Sequence, residues 1–148
     1  MSYTKKNIEV EILNTSLTDE EYFGFAAIIN KMVKVPLKRH LIIEIWDEDE
    51  FYEYFKLPEM VLKADGKYRP VEGIYMIVKK DFRGIALVNN DNFLSTTVHE
   101  MTHAVDFDKY PDWLYRFLNK KWLRKFRKYD PFEKRAWRNQ LEYEQTNI

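Results

Sequence analysis

Apolar and polar residues alternate with two different periods along the chain, and each period predicts one kind of element. A period of two predicts a strand at Ile8–Leu13, and a stretch rich in β-branched and aliphatic residues predicts another at His40–Trp46. Thr18 followed by Glu21 forms a capping box, which predicts a helix running to about Val33. The first part of the chain therefore mixes strands with helices.

Two apolar runs, at residues 73–78 and 84–88, flank a polar stretch and predict adjacent antiparallel strands. After a turn signal at residues 89–92 the period becomes helical. The predicted helices cover residues 47–55, then about 94–107, 112–128 and 131–144, with Pro131 in the first turn of the last one. This order predicts an α+β fold in which a small mixed sheet with an antiparallel edge hairpin is followed by three helices. We expect the helices to pack on one face of the sheet.

The length and composition of the chain limit the number of domains, the chemistry that is available and the cellular location that we expect. The chain has 148 residues and no repeat or flexible linker, which predicts a single domain over residues 1–148. It has no cysteine, so any metal must bind nitrogen and oxygen, and a thiol nucleophile is excluded. The first residues lack the apolar core of a signal peptide, and no run approaches the ~20 apolar residues of a membrane span. We therefore expect a cytoplasmic protein with no membrane partner.

Charge is unevenly distributed, although the formal net charge is zero. Residues 44–59 are acidic and residues 116–138 are basic. The bases of the second segment alternate with apolar residues at helical spacing, which is typical of a solvated face of an amphipathic helix. We therefore expect no nucleic-acid partner. The alternative is that this basic segment contacts an acidic partner or nucleic acid.

His99, Glu100 and His103 form the pattern H-E-x-x-H within the predicted helix 94–107. Four helical residues turn about 400°, so the two imidazoles project from one face, about 6 Å apart along the axis. Glu100 lies ~100° around the helix, where it can reach a water beside the metal but cannot compete as a ligand. The pattern predicts one Zn²⁺ per chain on the two histidines, with Glu100 as general base. The alternative is two buried structural histidines beside a surface glutamate.

A third protein ligand is needed because catalytic zinc sites usually have three. The metzincin pattern requires a glycine and a further histidine where this chain has Asp106 and Lys109, so that class is excluded. Glu133 is the best candidate, because Ala136, on the same helix face, is small enough to let that helix approach the helix of His99 and His103 closely. The alternative is a glutamate that stabilises the dipole of its own first turn.

Asp106 lies on the same face as His99 and His103. We expect it in the second shell, as a carboxylate that accepts the outer N–H of a ligand histidine. A ligand role and a solvated aspartate are the alternatives.

Other aromatic and histidine residues give weaker indications. Tyr129, one turn before Glu133, is a candidate donor to the oxyanion of the reaction, against the alternative of a packing tyrosine; Tyr110 is a weaker candidate. His40 is interpreted as a surface or hydrogen-bonded histidine. The tryptophans at helical spacing are predicted to lie in the core: Trp113, Trp122 and Trp137.

The motif and the HAVD segment that contains its second histidine resemble the gluzincin branch of zinc metallopeptidases, in particular the anthrax lethal factor family. Glu133 with Ala136 is similar to the E-x-x-A element that provides the third ligand in compact gluzincins, including the repressor-cleaving metalloproteases of mobile elements. The resemblance implies a minimal zincin-like metallopeptidase domain, with zinc on His99, His103 and Glu133 and with Glu100 as base.

The same resemblance implies that residues 84–88 form the edge strand above the cleft, along which an extended substrate pairs by β-augmentation. The chain departs from the family pattern at Thr102, where a glycine is usual. The expected function is a zinc-dependent endopeptidase acting on a protein or peptide. The rival expectation is a zincin-like binding or assembly module without proteolysis, and a non-proteolytic zinc hydrolase is a third choice. The sequence makes no prediction of the oligomeric state.

Overall fold

A computed structural model of the protein has an α+β fold, which confirms the prediction from the sequence. The structure describes residues 2–3, 6–56, 61–62, 68–69, 71–118, 120 and 130–146. The strands are β1 (Ser2–Tyr3), β2 (Ile8–Leu13), β3 (His40–Trp46), β4 (Val61–Leu62), β5 (Tyr68–Arg69), β6 (Gly73–Lys79) and β7 (Phe82–Val88). The helices are α1 (Asp19–Met32), α2 (Glu48–Phe55), α3 (Phe93–Phe107), α4 (Asp112–Leu118) and α5 (Pro131–Thr146).

The described strands form a mixed five-stranded sheet with the order β1-β2-β3-β7-β6 and a separate pair, β4-β5. β2, β3 and β7 are parallel neighbours, whereas β6 is antiparallel to β7. A parallel pair needs a long crossover, and α1 provides it between β2 and β3. The predicted capping box begins α1: the Thr18 hydroxyl accepts from the Glu21 amide at 3.1 Å, and the Glu21 carboxylate accepts from the Thr18 amide at 3.0 Å.

The predicted antiparallel hairpin is confirmed, but the expectation that residues 84–88 form the sheet edge is wrong. Those residues belong to β7, which lies between β3 and β6, and β6 is the edge strand. Residues 85–88 are all buried, because both faces of β7 are covered. A continuous apolar run of this kind is typical of an interior strand.

The larger core lies on the sheet face that α1 and α3 cover. Alternate residues of β3 point into it and are almost completely buried: Leu41, Ile43 and Ile45. α1 contributes Phe25 and Ile29, and α3 contributes Met101. This packing places α3, which carries the H-E-x-x-H pattern, directly against the sheet.

The opposite sheet face carries a second, smaller apolar cluster, so the expectation that all helices pack on one face is wrong for α2. Phe51 of α2 is completely buried there together with Ala86 and Val88 of β7. The physical reason is that β7 is apolar on both sides, and its second side also has to be shielded from water.

The C-terminal helices follow the prediction in part. α4 begins at Asp112 as predicted, but residues 119 and 121–128 of that predicted helix lie outside the described residues. Trp113 is 67% exposed, so its prediction as a core residue is wrong, whereas Trp137 is buried as predicted. Trp122 lies outside the described part of the chain. None of the described helices combines the length and the apolar character needed to cross a membrane.

Replacing Phe51 by Ala should lower the free energy of unfolding by about 3–5 kcal/mol, because it removes a fully buried aromatic ring from the smaller cluster. The matched control is Phe23→Ala on α1, where the ring is 69% exposed and the expected change is within about 0.5 kcal/mol. Urea unfolding of both variants measures the difference. Equal stability of the two variants would contradict the packing of α2 on this face.

Candidate metal centre

α3 buries many polar side chains. Because a buried polar group without a partner is costly, each of them needs a hydrogen bond or a functional reason. Two of its threonines satisfy their hydroxyls within the helix: Thr97 donates to the Phe93 carbonyl and Thr102 to the Val98 carbonyl, both at 2.8 Å. Thr102 also accepts from Asn139 of α5 at 3.1 Å. The threonine therefore links the two helices.

The helical spacing brings His99 and His103 together on one face of α3, as predicted. Their ring centroids are 5.0 Å apart, and their exposed fractions are 6% and 4%. Glu100 is buried to the same degree as His99. One candidate ligand atom from each of the three residues lies within 4.8 Å of the others. Three groups of this type in one buried place form a candidate site for a metal ion.

Glu133 of α5 completes the cluster. Its Oε1 lies 3.0 Å from His99 Nε2, and its Oε2 lies 3.1 Å from His103 Nε2. Burial acts to raise the pKa of the Glu133 carboxyl, but the contacts with His103 and His99 outweigh burial and hold that pKa well below its usual range. Glu133 thus contacts both histidines, as expected of the third ligand.

The residues present fit a zinc ion. Two imidazole nitrogens and a carboxylate are ligands that zinc accepts, and zinc takes them at about 2.0–2.2 Å in a tetrahedral arrangement. Ligand atoms that share such an ion lie roughly 3.3 Å from each other. The separations of 3.0 and 3.1 Å between Glu133 and the two histidines are close to this value.

Glu100 lies beside this cluster. Its Oε2 atom is buried and has no hydrogen-bond partner among the described residues. The start of β6 packs closely on the side chain: a Cβ added at Gly73 would lie 2.9 Å from Glu100 Cγ and 2.7 Å from Thr96 Cγ2. Gly73 therefore permits the edge strand to approach the glutamate, and no periodic pattern in the sequence indicated that contact.

Asp106 is buried next to the histidine face, and its carboxylate contacts α5. Its Oδ1 accepts from Arg135 at 3.1 Å. Burial raises the pKa of Asp106, while Arg135, Lys109 and His103 act to lower it. The second-shell role of Asp106 stays a prediction.

Gln140 of α5 contacts the outer ring nitrogen of His99, with its Oε1 2.9 Å from His99 Nδ1. A carboxylate was expected to be the acceptor for an outer N–H of this kind. Sequence reasoning missed this residue. The available signal was its spacing, because a residue seven positions after Glu133 lies on the same helix face.

The remaining candidates lie elsewhere. Tyr129 is outside the described residues, as is much of the basic segment 116–138, so the oxyanion donor and the acidic or nucleic-acid partner stay untested. Tyr110 is 40% exposed and packs edge-on against Phe132. His40 is hydrogen-bonded, as predicted, with its ring nitrogens 3.2 Å from Asn7 Oδ1 and 3.1 Å from a Glu9 oxygen.

Comparison of the chain with protein families, with curated proteins and with solved structures gave no match. The candidate metal centre is therefore inferred from the side-chain geometry of α3 and α5.

Replacing Glu133 by Gln should weaken zinc binding by roughly 100-fold or more, because changes around a ligand already cost 10- to 100-fold and this change removes the charge of the ligand itself. Glu100→Gln is the matched comparison. It makes the same chemical change on a buried glutamate that contacts no histidine nitrogen at hydrogen-bond distance, so zinc affinity should stay within about threefold of the unchanged protein. Competition with a chromophoric chelator measures both. A larger loss in Glu100→Gln than in Glu133→Gln would reverse the assignment of ligand and base.

Proposed function

We propose that the protein is a zinc-dependent peptidase that hydrolyses a peptide bond in a protein or peptide substrate. The observation that carries the proposal is the convergence of His99 Nε2, His103 Nε2 and both oxygens of Glu133, beside a second buried carboxylate. The resemblance of the motif to gluzincins supports the same chemistry.

His99, His103 and Glu133 would hold the ion. Zinc bound there would supply Lewis acidity, which lowers the pKa of a water and polarises a carbonyl. The negative charge of Glu133 would offset part of the charge of the ion, and burial of the two histidines would strengthen the electrostatic interaction.

Glu100 acts as the proton carrier in this proposal. Its Oε2 has no hydrogen-bond partner among the described residues and is thus available to accept the proton of the attacking water. After the carbonyl has been attacked, the same oxygen gives the proton to the nitrogen of the leaving amine as the C–N bond breaks. The carboxylate returns to its ionised state, so one residue serves as base and then as acid.

β6 is the strand on which an extended substrate would bind. It ends the sheet formed by the described strands, so backbone groups on its outer side would pair with a peptide by β-augmentation. The Tyr75 carbonyl is already occupied, because it accepts from the Tyr115 hydroxyl of α4. Gly73, at the start of β6, lies against the Glu100 side chain. A peptide that paired with β6 would therefore run past the proposed base. β7 cannot bind a peptide in this way, because it lies between β3 and β6.

Replacing Glu100 by Gln should lower the rate of peptide cleavage by about 10²–10⁴-fold, since the amide cannot accept the proton of the water. The substrate is a proteome-derived peptide library, and mass spectrometry of the products gives the rate with the zinc-loaded full chain. Glu142→Gln, at an exposed position of α5, is the control and should cleave at the rate of the unchanged protein.

Equal cleavage by the Glu100→Gln and Glu142→Gln proteins would refute the proposed mechanism. Absence of cleavage by the unchanged, zinc-loaded protein would favour the binding or assembly module instead.

A further inference from the structure

The second ring nitrogen of His99 has its own partner on the helix that carries Glu133. His99 Nδ1 lies 2.9 Å from Gln140 Oε1, and both side chains are buried, with exposed fractions of 6% and 8%. Glu133 and Gln140 lie on one face of α5 and contact the two different nitrogens of one imidazole. α5 therefore determines the environment of the whole His99 ring.

The orientation of the Gln140 amide follows from a second contact. Gln140 Nε2 donates to Glu144 Oε1 at 3.3 Å, one turn further along α5. A carboxylate oxygen can only accept, so it fixes the nitrogen of the amide on its own side. The amide oxygen must then face His99.

This orientation selects one tautomer of the imidazole. An amide oxygen is an acceptor, so His99 Nδ1 has to carry the hydrogen that lies between them. A neutral imidazole with hydrogen on Nδ1 has its lone pair on Nε2, which is the atom that faces Glu133. A reversed amide would place N–H groups against Nδ1 and would favour hydrogen on Nε2, where it would block a metal ion.

We propose that Gln140, oriented by Glu144, is a positioning residue that holds His99 in the tautomer and ring orientation that bind the metal ion. This inference rests on the proposed metal centre. It assigns to α5 two separate tasks, namely to provide a ligand through Glu133 and to orient another ligand through Gln140. Partners of this kind tune the affinity of metal sites even though they do not touch the ion.

The test is the zinc affinity of full-length variants, measured by competition with a chromophoric chelator. Gln140→Leu removes the acceptor and should weaken zinc binding by roughly 10- to 100-fold. Gln140→Glu keeps an acceptor and should restore affinity to within about threefold of the unchanged protein. If zinc affinity is kept in Gln140→Glu but lost in Gln140→Leu, the side chain acts by accepting a hydrogen bond and not only by packing.

Asn139→Leu is the matched control for helix packing. Asn139 precedes Gln140 and bridges the same two helices through Thr102, but it contacts no histidine in the described structure. This variant should lose stability on thermal unfolding to a similar extent as Gln140→Leu and should keep its zinc affinity. Equal loss of affinity in both variants would overturn the proposal, because the effect would then come from helix packing.

Glu144→Ala tests the orientation of the amide. In the unchanged background it releases the amide, so zinc affinity should fall, although by less than in Gln140→Leu. In the Gln140→Glu background the acceptor is a carboxylate that cannot present an N–H group, and the same change also removes a like charge one turn away, so affinity should stay unchanged or rise. Equal losses in the two backgrounds would contradict the role of Glu144.

Failure of this inference is distinguishable from failure of the metal centre. If Gln140→Leu bound zinc as tightly as the unchanged protein while His99→Ala lost binding, the metal centre would stand and the positioning role would be wrong. If the unchanged protein did not bind zinc, both would be wrong.

Discussion

The arrangement of α3 and α5 depends on one carboxylate that faces two imidazole nitrogens. Glu133 Oε1 and Oε2 lie 3.0 and 3.1 Å from the Nε2 atoms of His99 and His103, which are both buried, while the Glu133 side chain is 16% exposed. Carboxylate oxygens carry only lone pairs, so each of these contacts needs a proton or a cation between the two atoms. A charge buried without such compensation costs several kcal/mol. Imidazoles that carry hydrogen on Nε2 meet this need in the chain by itself, and a shared cation would meet it in the metal centre that we propose.

The rest of the fold holds this interface in place. The sheet and α1 bury the apolar side of α3, while α5 packs against its polar side and brings Glu133 and Gln140 to one histidine. Ala136 of α5 is completely buried, as a small residue at a close helix contact should be. Gly73 lets the edge strand approach Glu100 from a third direction. The proposed ligands, base and peptide-binding edge thus come from α3 itself, α5 and β6.

Local patterns predicted the elements and the centre of the site. The capping box at Thr18, the β6-β7 hairpin and the spacing of His99 and His103 each depend on residues close in sequence, so the sequence alone reveals them. Glu133 was suggested by its helix position next to a small residue. The structure brings it to both histidines.

Features that depend on contacts between distant elements were missed or wrong. The assignment of residues 84–88 to the sheet edge came from a family resemblance, whereas strand order is set by the pairing of β7 with β3. The second apolar face, covered by Phe51, and the contact of Gln140 with His99 likewise join parts of the chain that no local period connects.

The central claim is that His99, His103 and Glu133 bind one metal ion, and the metal content of the natively purified, tag-free protein tests it most directly. Elemental mass spectrometry before and after chelation should give about one zinc per chain, removed by the chelator. Absence of bound metal, even after zinc is offered at neutral pH, would contradict the account. His99 and His103 would then be structural residues, and a binding or assembly role would replace the peptidase.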